Sequence, residues 1–314
     1  EYNTRNIKSS QNGTPTRIEL SIASDKPNET VAFVGARIIT MKNAESAQEV
    51  IEKGNVMVQG TKILAVGSTV NVPANARIID ATGKTLFPGI IDVHAHASHF
   101  NTGVVPQQNW AYYANLAFGI TTMHDPSATS ETVFSQAELQ KAGQLVGPRI
   151  MSTGTILYGA DGDFKAVINS LDDARNTMTR MKAVGAMSVK SYNQPRRDQR
   201  QQINQAAREQ SMLVVEEGGS TFNHNMTMIL DGVTGIEHNI PVAPLYKDVV
   251  DTWKQTDVRN TPTLVVNYGG VNGEYYWYNK MNIWENERFL KFYPQGALDA
   301  RAIRREVGPD WDYY

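Results

Sequence analysis

The stretch that decides the reading is PGIIDVHAH, residues 88–96. Pro88 and Gly89 mark a turn, residues 89–95 form an apolar run of strand length, and His94 and His96 close it two residues apart. Side chains two apart on a strand point to one face, so both imidazoles converge on one point. Neutral imidazole is the commonest side-chain ligand for transition metals, and two on one rigid strand lose little freedom on binding an ion. Two histidines at a strand end are also ordinary polar loop residues. What gives this pair weight is the unbroken order of turn, apolar strand and HxH.

Downstream of this run the pattern strand, loop, helix repeats. The predicted strands are 89–95, 119–125, 148–154, 186–192, 212–218, 235–240 and 261–267. Helical stretches lie at 107–118, 130–145, 170–184, 196–210, 221–231 and 243–256. In the clearest of these, Ser170 with Asp173 forms an N-terminal cap, and Leu171, Ala174, Met178, Met181 and Val184 recur at helical spacing. Continuous apolar strands alternating with amphipathic helices mean parallel strands with helical crossovers, an α/β fold. Seven such units are countable, whereas a closed barrel of this kind needs eight. After 267 the sequence turns to aromatic loop residues and a helical stretch at 285–307, with no eighth strand in view. The expectation is a TIM-like (β/α) barrel with seven of eight strands, the gap beside the first strand left open or filled by another chain.

Upstream, residues 31–87 carry short β-type runs broken by glycine, and QGTK at 59–62 reads as a tight hairpin turn. This is a small β-sheet unit closing near residues 81–84. Residues 1–30 are polar and read as a linker or extended segment. The predicted organisation is therefore 1–30 linker, 31–87 small β unit and 88–314 barrel.

Composition narrows the chemistry. A chain of 314 residues can bury a large core. Its net charge of −2 favours neither nucleic acid nor an anionic membrane as partner, and no run of 18 apolar residues predicts a membrane span. Cysteine is absent, so any metal must be held by His, Asp, Glu or a modified Lys. A cysteine-free chain serves in cytoplasm or periplasm alike; a periplasmic or secreted location is the expectation adopted. The first residue is Glu1, and the chain reads as a piece of something longer, with a further domain upstream and sequence missing downstream.

The run PGIIDVHAH resembles the first barrel strand of the amidohydrolase superfamily, and the preceding unit ending in ATGKTLFPG resembles that superfamily's accessory β-sandwich. The imidazolonepropionase- and prolidase-like branch is the most similar, together with bacterial relatives that follow a β-propeller. The resemblance covers roughly residues 31–314. It implies a divalent metal, zinc foremost, as one or two ions, with His94 and His96 as ligands. It implies that Lys190, in AMSVKSY, is a ligand that carbon dioxide can carbamylate. His238, in GIEHNI, matches the strand-six histidine and is both a ligand and a catalytic residue. At the fifth strand the family commonly places a histidine, whereas MLVVEEGG places Glu217 there. Glu217 is a competent hard ligand, or else one of a Glu pair that ends a strand, with Glu216 on the opposite face.

Other residues are weaker candidates. His124, with Asp125, ends strand two at the mouth, where it can stabilise an oxyanion or serve the structure. His99 and Tyr192 stand where they can touch substrate. Tyr268 opens an aromatic cluster, with Tyr275, Tyr276, Trp277 and Tyr278, that walls a pocket or plugs the barrel end. His224 reads as a surface residue, and Arg196, Arg197 and Arg200 as a solvated helix face. The resemblance implies hydrolysis of a C–N bond, in a cyclic amide or small peptide-like amide, by a metal-activated water. The resemblance also implies an Asp at the end of an eighth strand, as metal ligand and general base, which this sequence does not supply; the rival, to which that absence and Glu217 point, is a non-catalytic barrel acting as a binding or scaffold module. A small-molecule substrate is the expected partner, and self-association stays open.

Overall fold

The computed structural model describes residues 23–42, 50–97, 99, 104–219, 221–242, 244–264 and 275–303. Five strands precede the HxH run: β1 (Thr30–Ile39), β2 (Val50–Gln59), β3 (Lys62–Gly67), β4 (Arg77–Asp80) and β5 (Thr85–Leu86). They form one sheet in the order β3-β2-β1-β4, with β5 also on β1. Gly60, at φ 56°, turns β2 into β3 where the hairpin was expected. One face of this sheet packs Ala36, Ile38 and Ala81 against Phe33, Ile51, Val56 and Leu86. Ile63, Leu64 and Ile78 are exposed, and among the described residues no second sheet pairs with this one.

The remaining strands are all parallel. The first sheet holds β6 (Ile90–Asp92), β7 (Ile120–Asp125) and β8 (Arg149–Ser152). The second runs β10-β9-β11-β12-β13-β14, from β9 (Ile156–Tyr158), β10 (Lys165–Val167), β11 (Ser188–Ser191), β12 (Leu213–Glu217), β13 (Gly235–Glu237) and β14 (Arg259–Thr261). Six helices alternate with the strands: α1 (Trp110–Ala117), α2 (Ser130–Ala142), α3 (Leu171–Ala183), α4 (Arg197–Gln210), α5 (Phe222–Asp231) and α6 (Lys247–Lys254). Among the described residues no ladder joins β8 to β11 or β14 to β6, so the α/β fold is two parallel arcs rather than a hydrogen-bonded closed barrel.

Local chemistry sets these elements. Ser170 accepts from the Asp173 amide at the start of α3, as the sequence predicts, and Ala174, Met178 and Met181 are the buried stripe of that helix. Val184 falls at its C-cap and is exposed instead. Leu157, Val189 and Val214 join the α3 stripe in one core, so these residues mark the helix-facing side of β9, β11 and β12. Register then fixes the opposite face. Lys190 pairs with Val215, Glu216 with Ser191, and Glu217 with Glu237. Lys190, Glu217 and Glu237 therefore share the inner face, and Glu216 with Ile236 looks toward the helices.

Four expectations need correction. The seventh strand is β14, Arg259–Thr261, shifted toward the N-terminus from the predicted 261–267; Thr263, at φ 43°, has already left the extended region. The helix expected over 285–307 is broken into α8 (Glu287–Phe292) and α9 (Gln295–Ala302), following α7 (Tyr275–Lys280). Pro294 forces Tyr293 into an extended conformation (φ −100°, ψ 138°) and ends α8 there. Arg200 is not solvated: its side chain is 1% exposed and donates to Asp231 at 2.6 and 2.9 Å and to Thr227 at 2.8 Å. His224 is half-buried rather than on the surface, and burial lowers its pKa. β9 and β10 were not foreseen at all, and no helix among the described residues is long and apolar enough to cross a membrane.

Candidate metal centre

β6 ends at Asp92, whose Oδ1 accepts the His94 amide at 3.0 Å and bends the chain off the strand. The His94 side chain is 7% exposed. Its Nδ1 bonds the Glu237 carboxylate, itself 2% exposed and delivered by the inner face of β13. Its Nε2 lies 3.1 Å from Nε2 of His96. The His96 Nδ1 in turn faces Asp125 Oδ1 at 3.4 Å. Each imidazole thus has its Nδ1 on a carboxylate and turns its Nε2 toward the other. Two nitrogens sharing a tetrahedral zinc at 2.0–2.1 Å lie roughly 3.3 Å apart, so this pair has a spacing that fits a common ion.

A second group stands across from the pair. Lys190, 2% exposed on the inner face of β11, is ion-paired to Glu217. The other Glu217 oxygen meets His238 Nε2 at 3.0 Å. His238 Nδ1 meets the Thr263 hydroxyl at 2.7 Å. His238 follows the end of β13 at φ 71°, and Thr263 lies at φ 43°, so two left-handed residues are tied together by their side chains. Such conformations concentrate at functional sites, because the surroundings must hold them. Burial opposes the Glu217 charge, but the His238 hydrogen bond and the Lys190 charge overcome it and hold its pKa at about 2. The ring centroids of His94 and His238 are 5.1 Å apart, so the two groups meet.

Among the described residues, no three or more His, Asp or Glu side chains are arranged as a ready cage for an ion. The Glu217 carboxylate is engaged by Lys190 and His238, and that of Glu237 by His94.

The other expected residues fall around this centre. His99 is not open to a substrate: it is 5% exposed, with Nδ1 on the Tyr112 hydroxyl at 2.5 Å and Nε2 on Asp125 at 2.8 Å. Burial works against the Asp125 charge, but hydrogen bonds from His96 and His99 hold that carboxyl below its usual range. A buried chain, Tyr112–His99–Asp125, therefore stands behind His96. His124 has both ring nitrogens engaged, by the Ser188 hydroxyl at 2.8 Å and the Val93 carbonyl at 3.2 Å, which leaves none for an oxyanion. Burial lowers its pKa and keeps the ring neutral. Tyr192 stacks edge-on to Tyr158, and burial with the Glu217 charge raises its pKa. Tyr268 lies outside the described residues. A cavity of about 610 Å³ is lined by α2 and β8, among them Lys141 and Arg149, with Met187 before β11, and by none of these groups.

Glu237 was missed in the sequence. In GIEHNI either Glu237 or His238 can face inward, and only the pairing of Glu217 with Glu237 decides it. Asp125 was seen, but its hold on both His96 and His99 was not.

No protein-family model matches the sequence. The chain is 28% identical over 151 residues to a dihydroorotase of Mycobacterium leprae, covering 45% of this chain and 31% of that protein. It is 40% identical over 113 residues to an imidazolonepropionase of a Geobacillus species, covering 31% of this chain and 27% of that protein. These matches span less than a third of either relative's length. Among solved structures, it is similar to a prolidase complexed with N-methylphosphonate-L-proline (TM-score 0.61, 21% identity, 87% of this chain and 72% of that one). It is also similar to a molinate hydrolase (TM-score 0.61, 16% identity, 91% and 78%). The fold likeness is to TIM-like amidohydrolase barrels. In sequence and in fold the chain is thus similar to members of the amidohydrolase superfamily.

Proposed function

We propose that this chain is a metal-dependent hydrolase that cleaves a C–N bond in a cyclic amide or small peptide-like amide. The observation that carries the reading is the His94–His96 pair, its Nε2 atoms 3.1 Å apart and both Nδ1 atoms facing carboxylates. Relatives named dihydroorotase, imidazolonepropionase and prolidase support the same chemistry. In this reading β6, β7, β8, β11, β12, β13 and β14 are the first seven strands of a TIM-like barrel.

His94, His96, Lys190, Glu217 and His238 would hold one or two divalent ions, with zinc the first choice for this donor set. A bound divalent ion supplies a Lewis acid that polarises a carbonyl and acidifies water. The rest belongs to the chain. Glu237 and Asp125 hold the protons of His94 and His96 on Nδ1, so that each Nε2 presents a lone pair. Glu217 stays a carboxylate across ordinary pH and orients His238 through Nε2. His238 has Nε2 on Glu217 and Nδ1 on Thr263, so it would have to release one of these partners to take a proton and return it to a leaving amine. Tyr192 keeps its phenolic proton and donates to a substrate at the mouth. Carbamylation of Lys190 would exchange a positive charge for a negative one facing Glu217, a charge that a bound divalent ion would offset.

The test is metal analysis of the purified full chain together with an amide-hydrolysis assay. At least one divalent ion per chain is expected, lost together with hydrolysis in the double variant His94→Ala, His96→Ala. Less than one ion per chain, without any chelation step, would overturn the proposal.

A further inference from the structure

Between α1, α2 and the end of β7 lies a buried polar network of which the proposed chemistry uses only the last member, Asp125. The Asp125 carboxylate only accepts, so His99 donates its Nε2 proton to it, at 2.8 Å. In the neutral ring that leaves Nδ1 as an acceptor, and the Tyr112 hydroxyl donates to it at 2.5 Å. The other carboxylate oxygen takes the Ser127 amide at 2.9 Å and faces His96 Nδ1 at 3.4 Å. The donors run one way, from Tyr112 to His99 to Asp125, and His96 meets the same carboxylate from the far side.

His99 is held by its backbone as well. Gln136, on α2, donates from Nε2 to the His99 carbonyl at 2.7 Å, and its Oε1 accepts from Asn109 Nδ2 at 3.2 Å. Asn109 is the N-cap of α1, where it accepts the Ala111 amide at 3.0 Å, and Tyr112 lies on the first turn of that helix. Tyr112, Asn109, Gln136, His99 and Asp125 are all buried, so a partner removed is not replaced by bulk water. Gly147 leaves the room the tyrosine needs: a Cβ there would stand 2.9 Å from Tyr112 Cβ. His96, by contrast, has a side chain 57% exposed, against 7% for His94. Packing does little to fix its ring, and Asp125 is the carboxylate that its Nδ1 faces. An Asp side chain has two torsions of its own, so it aims one oxygen at His96 only when the other is fixed elsewhere.

We propose that Tyr112 is a positioning residue for His96, orienting its imidazole through His99 and Asp125. Tyr112 and Gln136 hold His99 in one rotamer and one tautomer, and His99 fixes Asp125. Asp125 then sets the direction of the His96 ring, and so of its Nε2 lone pair. The proposal rests on the metal reading of the centre, and adds to it residues that touch neither an ion nor a substrate. A purely structural role for Tyr112 would cost stability and leave the His96 ring as it is.

The test uses the purified full chain, with zinc as the probe. Histidine tautomers are read in the metal-free protein by ¹H–¹⁵N NMR of the imidazole rings, and zinc affinity by competition with a chromogenic chelator. In the wild type His99 is expected as the Nε2–H tautomer and His96 as the Nδ1–H tautomer. Tyr112→Phe keeps the ring and removes the hydroxyl, so the His96 signals are expected to become mixed. Zinc affinity is expected to fall about fivefold, short of the roughly tenfold at which the effect of a direct partner begins. In an Asp125→Asn background the same substitution is expected to change neither, because the route is already cut. Should Tyr112→Phe fail to fold, His99→Gln and His99→Leu carry the test. The amide of the first can meet both Tyr112 and Asp125, and is expected to keep most of the affinity that the second loses. Unchanged His96 signals with zinc affinity within about twofold of wild type overturn the relay and, where zinc is bound, spare the metal reading. An equal effect with and without Asp125→Asn, or equal affinity of the two His99 variants, also overturns the relay. A wild type that takes up no zinc, but whose His96 signals become mixed in Tyr112→Phe, supports the relay and counts against the metal reading.

Discussion

Replacing Glu237 tests the centre at a residue that need not touch the ion. The bond from His94 Nδ1 to Glu237 is buried on both sides, with side chains 7% and 2% exposed, so water cannot take over when the carboxylate is removed. Outer-shell carboxylates of this kind typically change metal affinity by about 10–100-fold. That range corresponds to roughly 1.4–2.7 kcal/mol. Glu237→Gln keeps the shape and an acceptor oxygen, so the low end is expected. Glu237→Ala leaves the Nδ1–H unpaired in a dry site, so the high end is expected. The assay is zinc competition against a chromogenic chelator at neutral pH, with denaturant unfolding of the metal-free protein as control. Zinc affinity of Glu237→Ala within about twofold of wild type would refute the reasoning. So would a loss of affinity matched by an equal loss of metal-free stability, which would make Glu237 merely structural.

Other expectations follow from single groups. Asp231→Asn leaves the Arg200 guanidinium, 1% exposed, without its anion, and is expected to cost about 3–5 kcal/mol in urea unfolding; a cost below about 1 kcal/mol contradicts it. Burial pushes the Glu216 carboxyl well above its ordinary 4.5, against the opposing effects of Arg200 and Ser191. The native state then holds that proton more tightly than the unfolded chain, so its contribution is complete below pH 4.5 and is lost as pH rises through the raised value. Glu216→Gln should therefore gain stability over wild type progressively above pH 4.5, and a constant difference across pH would count against it. Ser170→Ala removes the α3 cap and should cost about 1 kcal/mol, read as a shift in unfolding midpoint. Zinc-loaded protein equilibrated with ¹³C-bicarbonate should show a carbamate carbon signal that Lys190→Met abolishes; its absence in the wild type removes the carbamylation expectation.

The sequence made the repeating part of the fold legible because apolar runs and helical stripes are local signals. The α3 cap at Ser170, the β2–β3 turn at Gly60 and the HxH run need only a few neighbours to be read. What escaped depends on distant partners. Glu237 faces inward because it is aligned with Glu217, and no window around GIEHNI contains that fact. Arg200 reads as a solvated face until Asp231, a helix away, is seen to bury it. His99 and His124 read as free polar groups because Tyr112, Asp125 and Ser188 lie far from them along the chain. β9 and β10 are three residues each, too short for an alternation to register.

The charge in the inner layer gives the strand-five acid a physical sense. Glu217 and Glu237 are direct cross-strand partners, and like charges placed opposite one another on a sheet repel. Lys190 answers Glu217, while Glu237 is answered by an imidazole. Two carboxylates against one ammonium leave an excess negative charge where water is scarce, and a protonated His94 or a dication beyond it can balance that charge. A dication does so without placing a proton on His94 Nε2, which leaves that nitrogen free to share the ion with His96. A histidine at position 217 would withdraw one of these negative charges and leave Lys190 without a counter-ion. The acid at 217 and the amine at 190 are thus one electrostatic unit, and exchanging either alone should lower zinc retention more than exchanging the two for each other, Lys190→Glu with Glu217→Lys.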